Sequence, residues 1–319
     1  MLQRFMLLPI FCMATFIALP STGLAQKRKP VRAKAPKFDD KEFDGIFFSD
    51  VRTVLKGELP KSQQQLNALA GNAGTAPGES GTSSDSADPM AWHKLISPES
   101  LEDHVKSSKL RLGKIVTTPT AFAGGGFNSA RREFSLQALL FAIIEIYPND
   151  DVRFKKSAPV ARELFARAAA NSKVGSIQSF NEAKQRMADL GDMVNGSTLA
   201  GDAKSETDWS ELMDRTPLMQ LLEWGNDENL AKLVASEEQF KANKEQVRSF
   251  AELVAVLGKT SLQEEMPDAD DEDYAAFVKT MIEHTQQVTL AVETDNADMA
   301  RKAAAQIGQS CQACHDDYR

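Results

Sequence analysis

Near the end of the chain stands Cys311-Gln312-Ala313-Cys314-His315. The residues before it, through Met299, Ala303, Ile307 and Ser310, carry helical spacing. On a helix, positions i, i+3 and i+4 fall within one arc of roughly 100°, because each residue turns by about 100°. Both thiols and the imidazole therefore face the same way. Such a face can form two thioethers with the vinyl groups of a haem while the imidazole nitrogen reaches the iron. It can also contribute to a zinc site, which needs a fourth ligand from His93, His104 or His284. A thiol–disulfide redox pair or a structural disulfide are further readings, but redox CxxC motifs normally open a helix after a strand. Ala313 is small and Gln312 can turn outward, so the spacing best suits covalent attachment of a flat macrocycle.

The elements that must position this face are helices. Leu136, Leu139, Leu140, Ile143 and Ile144 fall at i, i+3, i+4, i+7 and i+8, and Ala161, Leu164, Phe165 and Ala168 repeat the rule. Further helices are expected over 178–194, about 210–234, 237–258, 271–293 and 296–318. The breaks carry ordinary start and stop chemistry, as at Pro148-Asn149-Asp150-Asp151, Gly175-Ser176, Pro267-Asp268 and Asp295-Asn296. Strand signals are almost absent, so the fold class is all-α, with short connections favouring antiparallel bundles.

With 319 residues, 42% hydrophobic and 26% charged, the chain has the composition of a soluble globular protein. Its net charge of −8 repels phosphate and argues against a nucleic-acid partner. Three cysteines, one of them Cys12, exclude a disulfide framework. Residues 1–25 read as a signal peptide: Arg4, an apolar run from Phe5 to Leu19, and small Gly23 and Ala25 ahead of the expected cleavage point. The apolar run is short of the roughly 20 residues of a spanning helix. Cleavage is thus favoured over an uncleaved anchor, no membrane span follows, and the chain is expected in the periplasm. Residues 26–90 are expected to hold a basic arm, a short amphipathic stretch from Asp44 to Lys56 that could dock as one helix, and from about Gly57 to Asp88 a Gly/Ser-rich linker too poor in aliphatic side chains to order. A helical unit without cofactor is expected over 91–200 and a haem-bearing unit over 205–319.

Shifted by 117 residues, the two units align: Trp92 falls on Trp209, Leu95 on Leu212, Arg131 on Arg248 and Gly191 on Gly308. A duplication would place Cys311, Cys314 and His315 on Val194, Ser197 and Thr198. The first copy lacks the chemistry of the second, which sets one haem c per chain.

A CxxCH at the far end of the last helix, in CQACHDDYR, resembles the cytochrome c prime family over about residues 208–319. That resemblance implies an antiparallel four-helix bundle with haem c held by Cys311 and Cys314 and His315 as the axial iron ligand. The family's first helix brings an Arg toward the haem propionates and an apolar residue over the open iron face one turn on. Arg215 and Met219 match those positions, and Pro217 departs from the pattern by starting the helix near Thr216 or kinking it. The resemblance further implies electron transfer with a redox partner protein and a homodimer. The alternative is five-coordinate iron binding NO or CO, should the Met219 sulfur not close the sixth position. No catalytic triad or carboxylate dyad is visible, so no enzyme is expected. Gly124-Gly125-Gly126 reads as a flexible connection, and the acidic stretch from Asp268 to Asp273 as helix capping. His93 and His104 read as solvated or locally satisfied.

Overall fold

Ser97, Ser176 and Asp271 stand ahead of apolar periodic runs, and each side chain accepts backbone N–H bonds in the first turn that follows. These bonds satisfy donors that a helix start leaves without partners. The computed structural model describes Met90–Tyr318. The expected signal peptide over 1–25, and the expected arm, amphipathic stretch and linker up to residue 89, lie outside the described residues.

Among the described residues the architecture is all-α, without strands. The longer helices are α1 (Pro98–Ile115), α2 (Phe127–Ile146), α3 (Ala158–Asn171), α4 (Ile177–Val194), α5 (Arg215–Glu223), α6 (Lys244–Thr260), α7 (Glu272–Glu293) and α8 (Ala297–Tyr318). No helix among the described residues is long and apolar enough to cross a membrane.

The C-terminal parts of two helices are buried on nearly every face and so lie at the centre of their neighbours. On α2, Phe134, Leu136, Leu139, Leu140, Phe141, Ile143 and Ile144 are fully buried, and on α6 so are Leu253, Val254, Val256 and Leu257. Each such side chain contributes about 1.5–3 kcal/mol on leaving water. Phe165 of α3 stacks on both Phe134 and Phe141. The pair α7 and α8 packs along its length, and α7 also lies on α6.

The elements recur at the offset of 117. The short helices Trp92–Leu95 and Trp209–Leu212, the starts of α1 and α5, and the starts of α2 and α6 are each separated by that interval. Side-chain surroundings recur as well. A Cβ on Gly191 would lie 3.5 Å from the Lys109 side chain, and one on Gly308 would lie 3.8 Å from Asn226, the residue 117 positions after Lys109. The halves also exchange their first turns. Trp92–Leu95 packs on α6 of the second half, and Trp209–Leu212 packs on α2 and α3 of the first.

Two expectations change in detail. The helix expected over 210–234 is interrupted at Met213 and Asp214, whose backbones are extended. The chain re-enters as α5 at Arg215, one residue before Thr216. Pro217 is then in the first turn, where no N–H donor is required. The expected 237–258 helix breaks at Asn243, between Glu237–Ala242 and α6. The three glycines do connect two helical stretches, through a kink at Gly125, whose φ of 128 favours glycine. His104 is buried and satisfied by the other half, its Nε2 lying 3.0 Å from the Ser249 carbonyl.

Candidate functional site

The apolar positions of α7 repeat as Tyr274, Phe277, Val278 and Met281, at i, i+3, i+4 and i+7, so they share one face. The face of α8 turned toward them bears Gly308, Cys311, Cys314 and His315. Between these faces and α5 with its π-helical continuation, Trp224–Leu230, lies a cleft of about 800 Å³. Pockets that take cofactors span about 300–1,000 Å³. Cys311, Cys314, His315, Arg215 and Met219 all line it. The structure thus brings together every site residue expected from the sequence, although α5 and α8 are nearly 100 residues apart.

The cleft has an apolar wall and a polar end. Phe277, Val278, Met281 and Leu222 supply the wall, and Cys311 Sγ lies 3.9 Å from Met281 Sδ. At the other end Arg215 Nη2 donates to Asp268 Oδ2 at 2.6 Å and to the Pro267 carbonyl at 2.8 Å. Its guanidinium is 5.7 Å from the Tyr274 ring centroid. Tyr318 packs edge-on against Tyr274 at 5.3 Å, and its hydroxyl donates to Asp271 Oδ1 at 2.7 Å. That same carboxylate oxygen caps α7 by accepting from Asp273 N. One residue therefore ties the end of α8 to the start of α7.

Burial pushes the Cys311 thiol up to about 11, with the Asp227 carboxylate and Cys314 adding to the effect. Burial also raises Cys314, against the opposing charge of Arg215. Both cysteines are free thiols. Nucleophilic cysteines need the opposite shift. Among the described residues no group of three or more His, Cys, Asp or Glu side chains could hold a metal ion. The volume and the apolar wall would suit a flat macrocycle.

Sequence reasoning missed the opposite wall. The helical spacing of Tyr274 to Met281 was a usable signal for it. Asn226 had none. Its side chain is 5% exposed, Nδ2 donates to Asp227 Oδ1 at 2.6 Å, and Oδ1 has no partner at the cleft wall. Its place in a π-helical turn belongs to a class of irregularity common at functional sites.

The first half fills the equivalent space with its own chain. Arg153 pairs with Glu102 and bonds the Val194 carbonyl, and Glu102 and Val194 are the counterparts of Met219 and Cys311. Leu199 N donates to Ser157 Oγ at 3.0 Å, where the second half has Tyr274. A Cβ on Gly201 would lie 3.3 Å from Val160, the counterpart of Phe277.

A comparison with known proteins finds no family model, no curated protein and no solved structure that matches the chain.

Proposed function

We propose that the chain is an exported c-type cytochrome, a cytochrome c prime-like four-helix bundle with one covalently bound haem c, and that it transfers electrons to and from a redox partner protein in the periplasm. The observation that carries this reading is the meeting of Cys311, Cys314, His315, Arg215 and Met219 around one largely apolar cleft of about 800 Å³. When bound there, haem supplies one-electron chemistry at iron.

The chain's own residues do the rest. Cys311 and Cys314 would hold the group through their sulfurs, and His315 would offer its imidazole to the iron. Phe277, Val278, Met281 and Leu222 exclude water, and a low-dielectric wall strengthens every charge beside it. Arg215, oriented by Asp268 and Tyr274, presents a cation suited to a propionate. Met219 offers a thioether from the facing helix. The first half contributes structure without a second haem, since residues 194–201 with Arg153 and Glu102 fill its equivalent space.

The alternative is gas binding at five-coordinate iron. It draws support from Thr216 and Gln220, exposed polar neighbours that flank Met219 on the cleft and leave that wall open to solvent. Visible spectra of the haem-loaded protein, ferric and ferrous, with and without CO, separate the two. Sharp α and β bands unchanged by CO support electron transfer through a closed iron. A ferrous spectrum that shifts with CO favours gas binding.

A further inference from the structure

The repeat also exposes a second cavity, which shares no lining residue with the cleft. In the first half the guanidinium of Arg131 pairs with Asp214, and Lys173 Nζ lies 3.1 Å from the same carboxylate. Advancing each position by 117 gives the corresponding place in the second half. There Arg248 stands for Arg131, but Leu290 replaces Lys173 and the carboxylate must come from elsewhere, because the residue matching Asp214 is Ser97. A cavity of about 190 Å³ occupies that place, lined by Arg248, Ser97, Glu252, His93, Thr289 and Glu293 among others. Arg248 keeps only a long contact, 3.5 Å, with Glu293.

Glu252 is the other departure. Its counterpart is Ser135, and at 7% exposure it places a buried carboxylate on the cavity. Its Oε2 accepts from Ser97 N at 3.1 Å and Ser97 Oγ at 2.8 Å. Oε1 takes no hydrogen bond among the described residues. The cavity therefore carries a cation in a position that holds a carboxylate in the other half, next to a carboxylate with an acceptor oxygen to spare.

We propose that this cavity binds a small α-amino acid, its carboxylate on Arg248 and its ammonium on Glu252. Charge selects this class. The lining sets Arg248 and Lys94 against Glu252 and Glu293, so a ligand carrying a single charge of either sign would upset the balance. A zwitterion keeps it. A cavity of about 190 Å³ that opens to solvent has room for the carboxylate, α-carbon and ammonium common to the class, and glycine, alanine and serine are its smallest members. The carboxylate–guanidinium pair supplies the stronger, charge-assisted contact.

Isothermal titration of the purified full-length chain with glycine, L-alanine and L-serine tests the proposal, with propionate and ethylamine as probes that carry only one of the two charges. One-to-one binding of the amino acids, and at least about ten-fold weaker binding of both single-charge probes, is expected. Arg248→Gln should weaken L-alanine by about ten-fold or more, while Arg131→Gln should leave it unchanged. A second variant guards against misfolding. Ser97→Asp combined with Glu252→Ser recreates the first-half arrangement with its own carboxylate on Arg248, so it should fold and lose amino-acid binding. Absence of binding by all three amino acids at millimolar concentration overturns the proposal, as does equal binding of propionate or undiminished binding in the double variant.

Discussion

Trp92 and Trp209 stack with their ring centroids 4.9 Å apart and their planes 19° from parallel. They are equivalent residues of the two halves, and each sits on a short helix that packs against the other half. Lys259 Nζ covers the Trp92 ring at 4.3 Å. The stack marks the place where the repeat folds onto itself. Through it the half that carries Cys311, Cys314 and His315 packs on the first turn of the other half.

Removing this contact should loosen both halves together. Trp209 is 9% exposed, and Trp209→Ala should cost about 3–5 kcal/mol in urea denaturation. A loss below about 1 kcal/mol would mean that the stack is incidental to the interface.

Acid should weaken the same interface through His104. Burial holds its pKa down at about 4 in the folded chain, Arg111 adds to this, and the Ser249 carbonyl opposes it. Above pH 6.5 the imidazole is neutral folded and unfolded, and its titration costs nothing. As pH falls from 6.5 toward 4 the unfolded chain takes up a proton that the folded chain refuses, so stability is lost across that window. The integral is about 3 kcal/mol. Urea midpoints at pH 7 and pH 4.5 should diverge in the wild type and converge in His104→Gln. Equal pH dependence in the two proteins would contradict this origin.

Much of this was legible in the residues. The 3.6-residue period marked α2, α4, α7 and α8, Asp271 was readable as a cap, and the spacing of Cys311, Cys314 and His315 set one face of α8. The π-helical turn at Trp224–Leu230 was not, because its composition satisfies an α-helical pattern equally well. The hydrogen bonds of Ser97 to Glu252 and His104 to Ser249 join residues about 150 positions apart and leave no local trace. The break at Asp214 has a tertiary cause too, since that side chain is committed to Arg131 and Lys173 of the first half.

Arg215 should act on the cofactor more than on the fold. Its side chain is 35% exposed and that of Asp268 is 41% exposed, so Arg215→Gln should change the stability of the haem-free chain by less than about 1 kcal/mol. In the loaded protein, loss of a cation from the cleft favours oxidised iron. A reduction potential lowered by up to about 40 mV, corresponding to about 1 kcal/mol for one electron, is expected by redox titration. An unchanged potential would place Arg215 away from the iron's field.

Met219 decides between the two functional readings. If its thioether closes the iron, Met219→Leu should turn a low-spin ferrous spectrum into one that responds to CO, with helicity by circular dichroism unchanged. An identical spectrum in wild type and variant would remove the sulfur from coordination.

The most direct test is the pyridine haemochrome of the denatured, exported protein, together with its iron content. One haem c and one iron per chain are expected, with the haem staying on the polypeptide through denaturation and lost from the double variant Cys311→Ala, Cys314→Ala. Two irons per chain, no haemochrome, or haem that separates from the wild-type polypeptide on denaturation would contradict the account.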